Sequence, residues 1–277
     1  MSSKQTNIFF VLLRGIFLFI PLLVNGQNLL PPINNYRLLE YKGASKNWDL
    51  SVNTNGELFV ANNKGLLHFN GEQWNLNKLP NNTIIRSVES VGDRIYTGSY
   101  EEFGYWKKNR LGELEYASLT HLIKDHEFTS EEFWEILPVN DKVLFRSFSS
   151  IYSYDGNKIK VVDPPQVISD FIEYNDRIIV AGGLSGLFVL KNDELVPLPN
   201  QELLQGKTVT DMVVFKDKLL VGTKLSGCYL FDGTRLQPWT PDINEELKLH
   251  QLNKMLLLGK DEIGFGTIKN VPKRTRY

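Results

Sequence analysis

The chain has 277 residues, a formal net charge of −1 at pH 7, 42% hydrophobic residues and 23% charged residues. This balance is typical of a folded globular protein and excludes a disordered or low-complexity chain. It offers no broad basic field, so we expect no nucleic acid to bind this segment. The basic cluster Lys273-Arg274-Arg276 near the C-terminal end is interpreted as part of a solvated tail.

The N-terminal residues have the composition of a secretory signal peptide. Lys4 and Arg14 supply positive charge, and residues 15–24 are an apolar segment that ends close to Gly26. A helix that spans a bilayer needs about 20 apolar residues, which this segment does not reach. We therefore predict a signal peptide over residues 1–26, cleaved near Gly26, and export of the protein. An uncleaved N-terminal anchor is the alternative.

Two stretches, 170–198 and 211–239, repeat each other at one constant offset without a gap. Asp170-Phe-Ile-Glu-Tyr aligns with Asp211-Met-Val-Val-Phe, and Leu184-Ser-Gly aligns with Leu225-Ser-Gly. An ungapped match over this length indicates duplication of a whole structural unit.

The second strand of this unit recurs along the chain with more drift. Its occurrences are Leu58-Phe59-Val60, Ile95-Tyr96-Thr97, Val143-Leu144-Phe145, Ile178-Ile179-Val180, Leu219-Leu220-Val221 and Ile263-Gly264-Phe265. Each unit is predicted to have four short strands, and the third strands carry Leu66-Leu67, Ile151, Phe188 and Tyr229. Asn70-Gly71 and Asp232-Gly233 suit the tight turns before fourth strands. Four antiparallel strands in about 40 residues are typical of a β-propeller blade.

The predicted fold class is therefore all-β, a β-propeller of four-stranded antiparallel blades with about six units over residues 46–270. Residues 27–45 form a lead-in with a ring-closing strand. Residues 271–277 are predicted to be an atypical tail, because they show no apolar alternation. The ring is expected to be incomplete, which would expose blade edges. Residues 117–124 are predicted to form a short helix or an irregular excursion.

Motifs of catalytic or metal chemistry are absent from the sequence: it has no phosphate-binding loop, nucleophile elbow, zinc-protease helix or EF-hand loop. The spacing of His121 and His126 does not place them on one helical face, so both are predicted to lie on a solvated surface. Cys228 is the only cysteine, which excludes an intrachain disulfide, and its apolar strand predicts a buried side chain. We expect no metal, no cofactor, no catalytic residue and no enzymatic activity.

The positions that start the innermost strands are the candidate ligand-binding residues. By the repeat alignment they are Trp48, Arg86, Trp134, Asp170 and Asp211. Inner strands of a propeller line its central channel, where stacking and charged hydrogen bonds would suit a sugar or another small polar ligand. The alternative interpretation is that the aspartates cap local turns and the tryptophans pack between blades.

Several segments resemble the Bacteroidetes two-component-regulator propeller family. Lys46-Asn-Trp-Asp-Leu and Leu58-Phe-Val-Ala-Asn-Asn-Lys-Gly-Leu-Leu-His-Phe-Asn-Gly-Glu-Gln-Trp74 resemble its first blade. Ile95-Tyr-Thr-Gly-Ser-Tyr-Glu-Glu-Phe-Gly-Tyr-Trp106 and Gly112-Glu-Leu-Glu-Tyr116 resemble its second blade. The resemblance covers roughly residues 36–270, and the order of the motifs is more specific than any one of them.

The resemblance implies a periplasmic sensor. Family members carry propellers before a triple-tyrosine β-sandwich, a transmembrane helix and a histidine-kinase or helix-turn-helix output. It thus implies an oligosaccharide or other polar ligand and a homodimer formed through the full receptor. In such a receptor, only the leader or the C-terminal parts of the receptor would contact the membrane. A protein-binding scaffold and a propeller polysaccharide lyase or hydrolase are the alternative functions.

Cleavage of the leader gives the first testable prediction. Mass spectrometry of the intact exported protein, together with N-terminal sequencing, should give a chain that begins at or near Gln27. Recovery of the chain with Met1 intact in the membrane fraction would instead support the uncleaved anchor.

Overall fold

The computed structural model describes residues 33–124, 126–164 and 166–269, and the backbone of a strand at 273–276. The predicted signal peptide and its cleavage site lie outside these residues. The chain divides into two compact units, Met1–Tyr36 and Arg37–Tyr277. Of the first unit, residues 33–36 are described and contain no helix or strand. No helix in the described ranges is long and apolar enough to cross a membrane.

The second unit contains six antiparallel sheets, here called blades 1 to 6, in which consecutive strands are hydrogen-bonded neighbours. Blade 1 comprises β1 (Asn47–Val52), β2 (Leu58–Asn62), β3 (Gly65–Phe69) and β4 (Trp74–Asn77). Blade 2 comprises β5 (Ile85–Val91), β6 (Arg94–Ser99), β7 (Phe103–Lys108) and β8 (Leu114–Ser118). Blade 3 comprises β9 (Glu135–Val139), β10 (Lys142–Arg146), β11 (Ile151–Tyr154) and β12 (Ile159–Val162).

Blade 4 comprises β13 (Asp170–Tyr174), β14 (Arg177–Ala181), β15 (Leu187–Lys191) and β16 (Glu194–Pro197). Blade 5 comprises β17 (Val209–Phe215), β18 (Lys218–Thr223), β19 (Gly227–Phe231) and β20 (Leu236–Pro238). Blade 6 comprises β21 (Leu252–Gly259), β22 (Glu262–Thr267) and β23 (Lys273–Arg276). Two helices, α1 (Leu38–Tyr41) and α2 (Ile243–His250), precede β1 and β21. Short 3-10 turns lie at Thr120–Leu122, Gly183–Ser185 and Glu202–Leu204.

The predicted all-β propeller is confirmed. The recurring second strands are β2, β6, β10, β14, β18 and β22, and the four predicted third-strand segments lie on β3, β11, β15 and β19. The Asn175-Asp176 turn takes φ values of 50° and 55°, the left-handed conformation of a two-residue hairpin loop. Cys228 is buried on β19, as its apolar strand indicated.

The structure differs from the predicted boundaries at both ends of the blades. Lys273–Arg276, assigned to an atypical tail, pairs with β22 as the third strand of blade 6. Edge pairing uses backbone groups, so the missing apolar alternation does not prevent it. Residues 33–45 contain α1, and the predicted ring-closing strand stays a prediction because residues 27–32 are not described.

Each apolar core lies between two successive blades. Phe59 of blade 1 packs with Val88 and Trp106 of blade 2, and Phe103 of blade 2 packs with Phe145 of blade 3. Further clusters join blades 3 and 4, blades 4 and 5, and blades 5 and 6. A four-stranded sheet has two faces to bury, and stacking on its neighbours buries them.

Packing is interrupted between blade 6 and blade 1. The inner strands pack in the order β1, β5, β9, β13, β17 and β21, whereas β21 and β1 do not form such a packed pair. Leu50 on β1 is 65% exposed and Leu256 on β21 is 63% exposed. The described blades therefore form an arc with an uncovered face at each end, and the incomplete ring stays a prediction.

Polar side chains on the inner strands tie each blade to the next one. Asp49 accepts the backbone N–H of Val88 at 3.0 Å, and Asp211 accepts that of Met255. Ser87 Oγ donates to the Phe133 carbonyl at 2.9 Å. Buried backbone groups need partners, so these side chains fix the angle between neighbouring inner strands.

The close contact of blades 2 and 3 at Gly98 gives a stability prediction. A β-carbon at Gly98 would lie 2.5 Å from Ser87 Oγ, 2.6 Å from Phe133 Cβ and 2.8 Å from the Phe133 carbonyl oxygen. Because the Phe133 backbone must then shift, Gly98→Ala should lower the free energy of unfolding by about 1–3 kcal/mol. Urea unfolding followed by circular dichroism measures the change.

Gly259→Ala is the matched control, because no atom lies within 4 Å of a β-carbon at this position on β21. Its free energy of unfolding should change by less than about 0.5 kcal/mol. Equal unfolding midpoints for the two variants would contradict the blade contact described at Gly98.

Candidate functional site: a polar cavity at the inner strands

Side chains from all six blades converge on one cavity of about 790 Å³. Its lining residues are, blade by blade, Trp48, Asp49 and Leu50; Arg86 and Glu89; Trp134, Glu135, Ile136, Arg146 and Phe148; Ser169 and Asp170; Thr210; and Asn253 and Lys254. Most of them lie on the first strand of their blade or next to it. The volume is within the usual range of small-molecule sites.

The structure brings four of the five predicted rim residues together on this cavity: Trp48, Arg86, Trp134 and Asp170. Asp211 is not part of the lining. Lys254 Nζ lies 2.6 Å from Asp211 Oδ1, and the other carboxylate oxygen accepts the Met255 N–H. Asp211 therefore ties blade 5 to blade 6. The role of the other four residues in ligand binding stays a prediction.

Arg86 lies between two tryptophans at the rim. Its guanidinium carbon is 4.1 Å from the Trp48 ring centroid and 4.9 Å from that of Trp134. The two indole rings meet edge to face at 5.8 Å. Glu132 holds the guanidinium in a two-point ion pair, with Nε–Oε2 at 2.8 Å and Nη2–Oε1 at 2.9 Å. Cation–π contact and the planar ion pair together fix Arg86.

Two buried hydrogen-bond donors of this group mark a polar part of the cavity. Trp134 Nε1 and Arg86 Nη1 are buried and have no hydrogen-bond partner among the described residues. Trp48 Nε1, by contrast, donates to Asn63 Oδ1 at 2.6 Å. Phe148 extends the aromatic surface, with its ring 5.5 Å from that of Trp134. An acceptor atom of a ligand or a water molecule would satisfy the free donors.

The register of the sheets corrects three assignments of the repeat alignment. Asp170 and Asp211 lie opposite Ala181 and Gly222 on the neighbouring strand. The same position holds Asp49 in blade 1, Ser87 in blade 2 and Glu135 in blade 3. Trp48, Arg86 and Trp134 each lie one residue earlier, at the position of Ser169 and Thr210.

A network of ion pairs lies below the aromatic rim. Lys254 binds Asp211 and lies 3.9 Å from Glu135. Arg146 Nε donates to Glu135 at 2.9 Å, and its Nη1 donates to the Ile168 carbonyl at 3.1 Å. The three lining cations Arg86, Arg146 and Lys254 are therefore each held by a carboxylate of the protein.

Asp170 is the most buried acid of the site. Its side chain is 2% exposed, and Oδ2 has no partner among the described residues. Burial raises the pKa of Asp170 well above its usual value, and the negative charges of Glu135 and Asp211 add to this. Burial also raises the pKa of Asp211 to about 6, although Lys254 opposes the shift.

A second acidic pair lies on blades 1 and 2. Burial raises the pKa of Glu89 to about 7, and the charge of nearby Asp49 contributes. Burial also raises the pKa of Asp49, despite the N–H groups of Val88 and Leu50 that bind its carboxylate. Sequence reasoning missed Glu89, because an acid on an inner strand carries no motif. It could have found Asp49 only by shifting the repeat alignment by one residue.

The histidines predicted to be solvated differ from each other. His121 is exposed, as predicted. His126 is mostly covered: its Nε2 lies 2.7 Å from the Tyr152 hydroxyl, which donates to Glu131 at 2.6 Å. This network anchors the excursion of blade 2 onto blade 3. In the described part of the chain, no group of three or more His, Cys, Asp or Glu side chains could hold a metal.

Comparisons with solved structures identify other β-propellers. Virginiamycin B lyase from Staphylococcus aureus has 10% identity and a TM-score of 0.62, with 87% of this chain and 86% of that chain covered. YCF48 bound to a D1 peptide has 12% identity and a TM-score of 0.62, with 91% and 81% covered. At these identities the similarity concerns the fold alone.

The extracellular domain of a putative hybrid two-component system from B. thetaiotaomicron is also similar, with 17% identity and a TM-score of 0.50. The match covers 88% of this chain and 39% of that chain. No protein-family model matches the sequence, and no curated protein matches it.

The raised pKa of Asp170 predicts a pH-dependent effect of Asp170→Asn. In the unfolded chain Asp170 ionises near pH 4, whereas the folded protein keeps its proton to higher pH. The folded state then binds more protons, so this group lowers stability as pH rises from 4. The Asn variant has no carboxyl group at this position, so it does not lose this stability as pH rises. Its free energy of unfolding relative to wild type should rise between pH 4 and pH 7.

Urea unfolding at both pH values measures this difference, and Asp232→Asn is the control. Asp232 is partly exposed, and hydrogen bonds from Thr234 and Arg235 lower its pKa, so it titrates below pH 4. The control difference should stay constant between pH 4 and pH 7. An Asp170→Asn difference that is equally constant would show that Asp170 ionises normally in the folded protein.

Proposed function

We propose that the chain binds a small polar ligand in the cavity at its inner strands and serves as the sensing segment of a transmembrane receptor. The observation that carries the proposal is the convergence of all six blades on one cavity. Buried polar atoms of Trp134, Arg86 and Asp170 have no hydrogen-bond partner there within the described part of the chain. Such a site surrounds a ligand with contacts that no single blade provides.

The receptor part of the proposal rests on the blade motifs and on one structural similarity. The extracellular domain from B. thetaiotaomicron belongs to a putative two-component system, and its similarity to this chain concerns the fold. The ordered motifs Lys46–Leu50 and 58–74 add the family resemblance. Export to the periplasm and a homodimer formed through the full receptor are parts of the same proposal.

Binding is favoured over catalysis by the way the charged groups are used. A catalytic site needs both a free base and a free charge stabiliser at one place. Glu89 and Asp170 have no ion pair among the described residues, but the lining cations Arg86, Arg146 and Lys254 are each held by a carboxylate of the protein. Virginiamycin B lyase shares the propeller fold at 10% identity, which carries no residue of its chemistry to this chain.

A protein-binding scaffold is the second candidate, favoured by the uncovered apolar faces at Leu50 and Leu256. YCF48, another propeller of this shape, binds a peptide. The two functions use different surfaces: a small ligand would contact Trp134 and Asp170 inside the cavity, whereas a protein would cover the end faces. Substitutions at these two places therefore distinguish the candidates.

Calorimetric titration of the full chain with a panel of oligosaccharides tests the cavity proposal. Trp134→Ala and Asp170→Ala should each weaken the binding of any active panel member about 10-fold or more, because each removes a buried polar partner. Trp48 and Trp134 line the cavity, so quenching of intrinsic fluorescence provides a second signal.

The matched controls are Trp74→Ala on β4 and Asp193→Ala, which removes a surface ion pair with Lys160. Both should leave the affinity unchanged, and thermal unfolding confirms that each variant is folded. Affinity that survives both cavity substitutions would remove the cavity from consideration as the site. Val52→Asn on β1, outside the cavity lining, and Leu256→Asn on β21 would then be compared for an effect on protein partners.

A further inference from the structure

The positive charges that line the cavity are already compensated by the protein. Arg86 is paired with Glu132, Arg146 with Glu135, and Lys254 with Asp211. A fourth cation, Lys46, lies outside the lining, 5.9 Å above the Trp48 ring. None of the three lining cations is therefore left to balance another acid through a direct ion pair.

Three lining carboxyl groups remain without an ion pair among the described residues: Asp49, Glu89 and Asp170. Asp49 accepts two backbone N–H groups, which leaves its charge uncompensated. Asp170 is nearly fully buried, and Oδ2 has no hydrogen-bond partner among the described residues. Buried carboxylates are stable only when they are paired, hydrogen-bonded or protonated.

From this imbalance we propose that the cavity binds an organic cation, a small molecule that carries at least one protonated amine donating to Asp170 Oδ2. The inference rests on the proposed function and names the ligand class for the same cavity. A neutral polyol could satisfy a hydrogen bond, but it brings no charge, so the buried carboxyl groups would keep their protons. An ammonium group supplies both the missing donor and a positive charge that favours the ionised carboxylate.

The aromatic rim fits the same class of ligand. Trp48 is 41% exposed, and Phe148 is 52% exposed beside Trp134. Exposed aromatic faces next to an acidic space attract the alkyl-ammonium part of a ligand through cation–π and apolar contact. Arg86 already occupies one position of this kind, with its guanidinium 4.1 Å from the Trp48 ring centroid.

Proton exchange distinguishes this ligand class from neutral ligands. Burial and Asp49 raise the pKa of Glu89 to about 7, so the empty cavity holds part of a proton there at neutral pH. A bound cation would favour the charged carboxylate and release that proton. The other charged groups that line this space are Asp49, Glu135, Asp170, Arg86, Arg146 and Lys254.

Isothermal titration calorimetry of the full chain at pH 7 tests the proposal with spermidine and 1,4-diaminobutane. The neutral isostere 1,4-butanediol and a neutral oligosaccharide panel serve as comparisons. Each titration is repeated in two buffers that differ in ionisation enthalpy, so that proton release is measured directly. We expect an amine to bind with proton release, more weakly at high salt, and the diol not to bind.

Asp170→Asn should weaken amine binding about 10- to 100-fold, because it removes the carboxyl group that pairs with the ammonium. Glu89→Gln and Asp170→Asn should each reduce the proton release, because burial raises the pKa of both carboxyl groups. Asp232→Asn removes a partly exposed carboxylate on the turn before β20 and should change neither quantity. Thermal unfolding of each variant confirms its fold.

The outcomes separate this inference from the proposed function. If neutral oligosaccharides bind with the cavity variants impaired while amines do not bind, the amine class is wrong and the cavity remains the site. If amines bind equally to wild type and Asp170→Asn, they associate with surface acids and the inference is overturned. If neither amines nor oligosaccharides bind, both proposals lose their support.

Discussion

The packing of each blade on the next is the constraint on which the rest of the structure depends. A single four-stranded sheet leaves its apolar surface uncovered, and the neighbouring blade buries it. Five blades therefore have a buried apolar residue at the same position of the inner strand: Val88, Ile136, Phe171, Met212 and Met255. Each follows a polar residue that lies near the cavity. Successive side chains of a strand point to opposite faces, so the apolar side chains lie between blades and the polar side chains lie toward the centre.

This arrangement explains why the centre of the molecule is charged. Asp49 and Asp211 are needed to hold the inner strand of the following blade, and their position places acids around one cavity. Lys254 and Arg146 compensate part of this charge, but each is committed to one carboxylate. Burial then raises the pKa of the remaining acids, so the same interactions that stabilise the blades determine the charge of the cavity.

The sequence was sufficient for the blades because the offset between 170–198 and 211–239 locates equivalent strands directly. It also located Asp170 and the Trp48–Trp134 rim, since both follow from the start of the inner strands. It could not find the Arg86–Glu132 pair or the Lys254–Asp211 pair, whose partners are 46 and 43 residues apart in the chain. Such pairings depend on the angle between blades and leave no local pattern. The strand β23 was missed because edge pairing uses the backbone.

The uncovered face of blade 1 follows from the same alternation. Leu50 occupies the position that is buried in the other five blades, and it is exposed because no described blade packs on that side. Leu50 and Lys254 both line the cavity, so its wall on this side consists of two inner strands that are not packed together. Any element that covered Leu50 would remove water from the cavity. It would thereby strengthen the electrostatic attraction between Asp170 and a bound cation, since charges interact more strongly at lower dielectric.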